Sequence, residues 1–496
     1  MEKTDSGTPV WAQRAAALGL GLLTGATGGL IVGAVVLLAM DGPSFAVLFT
    51  LVLAVLIGVL TVLSGASRLS RRRWAGACGA LAGLVLATSM FVGYRSNWAE
   101  EVWAVPDDRP GAADAVGTWT TSDLVVRAQQ DLVSAYRISD GAAVWTWEPP
   151  DRDTVCAMST ATHGGLGLIG HAPEGRPCRR TAALDLKEGT TRWEHRDKAP
   201  GLSADDLFSR SVALAGDVAV VQDGSGWRGL SAADGRERWY AEAGEGCRPA
   251  VVDAALRTVL AVVHCPSRPE SGRAEALRLA PATGAVSTRT ALPVQDPFTR
   301  YAMVAADPLT LWVEEPVVRG TRAVLVIDDR GAVRTTIPTR ASDHTLLVGS
   351  YGTHRAVTFG ARPLPAAVVV EGLLIAPAVE PGDRSVVSNR NGHLIDYDGR
   401  LVAISLEDGE RRWTSELDDE TRGIATGDGS VWVLGREKLF RIDPMNGRHL
   451  RALTLTDLTY KEPAELTVHG DRYLVVAENS TGGVPPIRAL RPDFVF

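Results

Sequence analysis

The feature that most constrains this chain is a motif that returns at a nearly fixed interval. It consists of an alternating apolar stretch, a turn ending in Gly, and often a Trp four residues after that Gly. It reads Ala135-Tyr136-Arg137-Ile138-Ser139-Asp140-Gly141 with Trp145, then Ala183 to Gly189 with Trp193, then Ala232-Ala233-Asp234-Gly235 with Trp239. A later copy runs from Val402 to Gly409 with Trp413. Weaker copies end at Gly284, Gly331 and Gly447, where Thr288, Thr335 and Arg451 stand in place of Trp. Alternation with period two marks a strand with one buried face. The Gly then reverses the chain, because it takes positive φ without steric cost. The turn glycines step by 48, 46, 49, 47, 78 and 38 residues, room for about four strands per unit. The step of 78 holds an insertion around His344–Pro365, and a last unit, Glu465–Phe496, has strands but no turn Gly.

Units of four strands close into a β-propeller, since an open stack would expose strand edges. The sequence therefore predicts an all-β propeller over residues 117–496, with eight blades and seven as the alternative. A Trp once per blade predicts a packing residue between blades rather than an aromatic ligand platform, because packing recurs with every blade and a ligand site has no need to. The structural set is thus Gly141, Trp145, Gly189, Trp193, Gly235, Trp239, Gly409 and Trp413.

The first hundred residues have another character. Ala15–Met40, Phe45–Ala66 and Trp74–Tyr94 are three uncharged runs, each long enough for a helix to cross a hydrocarbon core of about 30 Å. Asp41-Gly42-Pro43-Ser44 is a tight connection that makes the first two a hairpin. The loop 67–73 carries Arg68, Arg71, Arg72 and Arg73, which places it and the tail 1–14 in the cytoplasm. The third helix then delivers everything after Tyr94 to the extracytoplasmic face of the cell membrane, through a polar linker over 95–116. Gly21, Gly25, Gly29 and Gly33 form a small-residue face that suits packing within the three-helix bundle or a helix–helix dimer.

Composition excludes one partner class. Residues 1–104 hold seven Lys/Arg and five Asp/Glu; the whole chain holds 51 and 58. The remainder therefore has 44 basic and 53 acidic groups, and an acidic domain is a poor grip for a nucleic-acid backbone. Cys78 lies in the third apolar run, and the other four cysteines, Cys156, Cys178, Cys247 and Cys265, all fall in the outer domain. An even number on an oxidising face implies two disulfides. Three pairings are open. Closeness within one repeat favours Cys156–Cys178 and Cys247–Cys265, each closing a loop of about 20 residues worth roughly 3 kcal/mol.

The pattern Ala-x-Asp-x-x-x-Gly-x-x-x-Trp, best seen from Ala183 to Trp193, resembles the repeat of pyrroloquinoline-quinone-like (PQQ-like) propellers, here of a membrane-anchored, actinobacterial type. That superfamily includes quinoprotein dehydrogenases and non-enzymatic scaffold propellers. The resemblance implies a propeller fold, and either a quinone cofactor or a protein partner. The quinone enzymes hold their cofactor with a disulfide between adjacent cysteines, and no two cysteines here are adjacent. No haem motif, metal-ligand spacing or nucleophile elbow is present either. Gly165–Gly170 fits G-x-G-x-x-G but lies inside a β-repeat, so it reads as a strand with glycines. Asp443–Gly447 resembles half a calcium loop and coincides with a blade turn. The expectation is a membrane-anchored, extracytoplasmic binding or scaffolding module for a protein, glycan or cell-envelope ligand, without cofactor, metal or catalytic residues. A quinoprotein dehydrogenase is the alternative.

Overall fold

The computed structural model describes residues 97–106, 115–174, 176, 178–196, 212–255, 257–268, 271–296, 299–315, 317–348, 367–379, 399–455, 464–477, 480 and 485–492. The three expected membrane helices, the glycines of the first, and Cys78 lie outside these residues. Among the described residues no helix is long and apolar enough to cross a membrane.

Each antiparallel blade is a meander of four strands, lettered a to d from the inner edge outward. Blade 1 consists of Ala115–Thr120, Leu124–Gln129, Val133–Arg137 and Ala143–Trp147. The following blades cover residues 154–196, 212–242, 248–291, 300–338, 345–416 and 423–455. Blade 6 holds the long insertion. Its inner edge is made by two short segments, Thr345–Leu346 and Val368–Val370, both paired to Leu373–Val379. Blade 8 takes Ala464–His469, Arg472–Ala477 and Ile487–Pro492 from the C-terminal end of the chain. Its outer strand is Trp98–Ala104, from the start of the described chain. Among the described residues the blades number eight.

That last strand corrects the sequence reading, in which 95–116 was a tether. The apolar side chains of this stretch, Trp98, Val102, Trp103 and Val105, are interrupted by Glu100 and Glu101 and followed by Pro106, Asp107 and Asp108, so in isolation it reads as a polar connection. Its partner strand lies nearly 390 positions away in sequence, and only that pairing makes it a strand. The Val105 N–H donates to the Ile487 carbonyl at 2.9 Å, and Arg491 and Arg488 reach Glu100 and Glu101 at 2.7 and 3.5 Å. Trp103, Val105, Val125, Ile138, Leu474, Val476, Ile487 and Ala489 then form one core cluster across the junction of blades 8 and 1.

Middle strands are buried on both faces, as in Leu124–Gln129 and Val218–Asp223. Outer strands alternate buried and exposed, as in Glu237–Glu242. The meander puts the a–b and c–d turns on one face of the blades and the b–c and d–a connections on the other. These are called the turn face and the loop face below.

Candidate functional site

The repeat glycines and tryptophans meet across blades. Gly235 has φ +70°, and a Cβ placed on it would meet the Trp193 indole at 2.8 Å. Each such Gly is therefore required twice, by its left-handed backbone and by the ring that fills its side-chain space. The indole belongs to the preceding blade: Trp145 lies on Gly189, Trp193 on Gly235, Trp239 on Gly284 and Trp413 on Gly447. The indole N–H of each donates into the same next blade, to the carbonyls of Leu186, Ala232, Pro281 and Pro444 at 2.7–2.9 Å. Trp193, Trp239 and Trp413 are buried, and Trp145 is partly exposed. No two of these rings share a pocket; each is spent at its own junction.

Two members of this clasp escaped the sequence reading. Trp103 lies on Gly141 and donates to the Ile138 carbonyl at 2.9 Å. It precedes the first turn, so no Gly stands four residues before it. At the junctions into blades 5 and 6, where Trp is missing, threonine takes the role. Thr290 donates its hydroxyl to the Gly331 carbonyl at 2.8 Å, and Thr335 donates to Glu407 at 3.0 Å. The G-x-G-x-x-G stretch is absorbed in the same way, Gly167 against Trp119 and Gly170 against Ala157 and Cys178. In the turn Asp443–Gly447, the Asp443 carboxylate accepts from Met445 N and Asn446 Nδ2, both at 2.9 Å.

With the repeat occupied by packing, the two faces differ in construction. On the turn face the c–d turns close on themselves, for example Gly141 N to Arg137 O and Gly189 N to Asp185 O, both 2.8 Å. This face carries a cleft of about 620 Å³ lined by Asp123, Arg137, Lys187, His469, Asp471 and Arg472, among others. Its arginines are engaged by the fold. Arg137 pairs with Asp140 at 2.7 Å, and Arg472 donates to the carbonyls of Ile138 and Ser139. The cleft thus lies where blades 8 and 1 are stitched together.

The loop face is held by long-range ties. Cys156 is bonded to Cys178, with Cα atoms 5.8 Å apart, and Cys247 to Cys265, with Cα atoms 4.0 Å apart. The first fastens the b–c loop of blade 2 to its inner strand. The second fastens the connection entering blade 4 to its second strand. Beside the first, buried His171 has Nδ1 2.8 Å from the buried Asp153 carboxylate, and Arg180 reaches Asp153 at 3.2 Å and Asp151 at 2.8 Å. Beside the second, Tyr301 contacts His264 at 3.1 Å. Burial lowers the His264 pKa and raises that of the Tyr301 phenol, so both are neutral near pH 7.

Two carboxylates do similar work without covalent bonds. Glu315 accepts the backbone N–H groups of Gln295, Asp296 and Thr321 at 2.7, 2.9 and 2.5 Å, tying the b–c loop of blade 5 to the connection that enters it. Burial works to raise its pKa, and these backbone donors more than offset that, holding it below the usual carboxylate range. Asp419 accepts from Glu437 N and Lys438 N at 2.7 and 2.9 Å, fixing the b–c loop of blade 7. There burial prevails, and its pKa is raised. Among the described residues no group of three or more His, Cys, Asp or Glu is placed to hold a metal.

A family profile described as outer membrane protein assembly factor BamB matches residues 97–315. That stretch begins at the strand that closes blade 8 and ends in blade 5. Over that stretch the chain carries PQQ-like repeats. No curated protein sequence matches the chain significantly. Solved structures similar to it include BamB from Moraxella catarrhalis, at 16% identity and a TM-score of 0.42, covering 78% of this chain and 99% of that one. Quinohemoprotein alcohol dehydrogenase from Comamonas testosteroni is similar at 12% identity and a TM-score of 0.46, covering 81% and 76%. Sqt1 from Saccharomyces cerevisiae is similar at 9% identity and a TM-score of 0.46, covering 79% and 98%. At TM-scores below 0.5, none of these likenesses bears on function.

Proposed function

We propose that this propeller is a non-enzymatic, extracytoplasmic binding or scaffolding module, anchored in the cell membrane by residues 15–94, and that its loop face is the interface. The observation that carries the reading is the distribution of cross-links. Tryptophan and threonine clasps already fasten seven of the eight junctions, and Trp98–Ala104 joins blades 7 and 8 into one sheet, so the two disulfides and the Glu315 and Asp419 clamps are not needed to join the blades. They fix the shape of the loops. Loops held in one conformation lose little entropy when a partner docks, which is how a rigid interface gains affinity. All four outer cysteines are consumed in this role, which supports a binding surface over a quinone site with adjacent cysteines.

The extracytoplasmic placement rests on the arginine loop 67–73 and is tested through the loop face itself. Ser225 is exposed in the b–c loop of blade 3. A Ser225→Cys full-length chain in intact cells should react with a membrane-impermeant maleimide. Reaction only after lysis overturns the placement.

A further inference from the structure

The b–c loop of blade 5 carries an adjacent apolar pair held out into solvent. Val317 is 46% exposed and Val318 95%. Among the described residues the other large exposed apolar side chains are Val144, Tyr240, Val286 and Leu450 on outer strands, and Met445 in a turn. They are single and dispersed, as is normal for any surface. The valine pair differs because its loop is built to present it. Glu315 N donates to Thr321 O at 2.9 Å, Gly320 N donates to Val317 O at 3.0 Å, and the Thr321 hydroxyl donates to Pro293 O at 2.5 Å. The buried Glu315 carboxylate closes the base. Gly320 packs against the Cβ of Glu315 too closely to allow a side chain of its own. Arg319 is exposed beside the valines, and no carboxylate among the described residues pairs with it.

A rigid tip that exposes apolar surface gains nothing in the free protein. We infer that Val317, Val318 and Arg319 form the anchor by which the loop face engages a partner protein, one presenting an apolar pocket with a carboxylate at its rim. This rests on the binding-module reading above. Val318 fills the pocket, and Arg319 meets the carboxylate. A few side chains carry most of the energy of a protein interface, arginine prominent among them, and charge complementarity fixes approach and register. A bilayer is the less suited occupant, since interfacial anchoring scales with buried apolar area and one pair of valines offers little.

The test uses the full-length chain in its own cells, with a photo-crosslinking amino acid placed at Val318, at Asp131 and Ser225 on other loops of the same face, and at Met445 on the turn face. A discrete protein adduct is expected from position 318 and not from 445. Its yield should fall about tenfold or more with Arg319→Glu and be retained with Arg319→Lys, since the lysine keeps the charge. Unchanged amide exchange at Gly320 and Thr321 confirms that these variants keep the loop. Adducts from 131 or 225 but not 318 overturn the anchor and leave the interface standing. No adduct from any loop position overturns both. A lipid-sized adduct at 318, or a protein adduct indifferent to Arg319→Glu, overturns the partner chemistry.

Discussion

A single indole at each clasp does three things: it fills the space above a left-handed glycine, donates to a carbonyl beyond it, and packs between two blades. Trp193 is the clearest case, with its N–H 2.7 Å from the Ala232 carbonyl and its ring against Gly235. Trp193→Ala should therefore cost about 3–5 kcal/mol, as for other large-to-small changes at packed aromatics. Gly235→Ala should destabilise as well, since the new methyl needs positive φ and meets the ring. Chemical denaturation of the full chain measures both, and a loss under 1 kcal/mol for Trp193→Ala would remove the clasp from the account. Thr335→Val, which deletes only the hydroxyl to Glu407, should cost about 1 kcal/mol. The alternating strand, the turn Gly and the Trp all stand in the sequence, so the repeat and its packing role were legible. What it does not display is the direction of the contact. Each Trp serves the Gly of the following unit, so Gly331 and Gly409, which follow units that lack the Trp, are met by threonines.

At the scale of loops, the cysteines could be paired from spacing alone, because each pair lies within one repeat. Removing Cys156 and Cys178 together should cost about 3 kcal/mol by the loop-entropy estimate. The Glu315 clamp was not legible, since its three donors are main-chain N–H groups in two segments, Gln295–Asp296 and Thr321, that are far apart in sequence. It makes a pH prediction. The folded pKa lies below the unfolded one, so ionised Glu315 contributes stability that is fully present above the ordinary carboxylate range. That stability is lost as pH falls through the depressed folded value. Amide protection at Asp296 and Thr321 should therefore hold at neutral pH and decline in acid, below about pH 4. Glu315→Ala should remove it at every pH. Protection that survives the alanine would mean that the loop holds its form by other bonds.

Over the molecule as a whole, stability depends on how the ring is closed. A ring of eight blades could still part where its first and last described strands meet, and there the fold uses several bonds at once. Trp98–Ala104 completes blade 8. Trp103 clasps Gly141 of blade 1, Arg472 holds the carbonyls of Ile138 and Ser139, and Glu100 and Glu101 pair with Arg491 and Arg488. The same stretch begins four residues after the third expected membrane helix. Val105 is a direct probe of this closure. Its N–H donates to the Ile487 carbonyl at 2.9 Å, and proline at that position removes the donor. If 95–116 were a tether, Val105→Pro would be silent. If the strand closes the ring, the loss should appear on both sides of the junction. Hydrogen exchange should then quicken in Ile487–Pro492 of blade 8 and around Ile138–Gly141 of blade 1, while blades 3 to 5 keep their protection. Uniform quickening in all blades would mean that the ring unfolds as one unit, with no seam to speak of. No change at all would return the segment to the linker that its composition suggests.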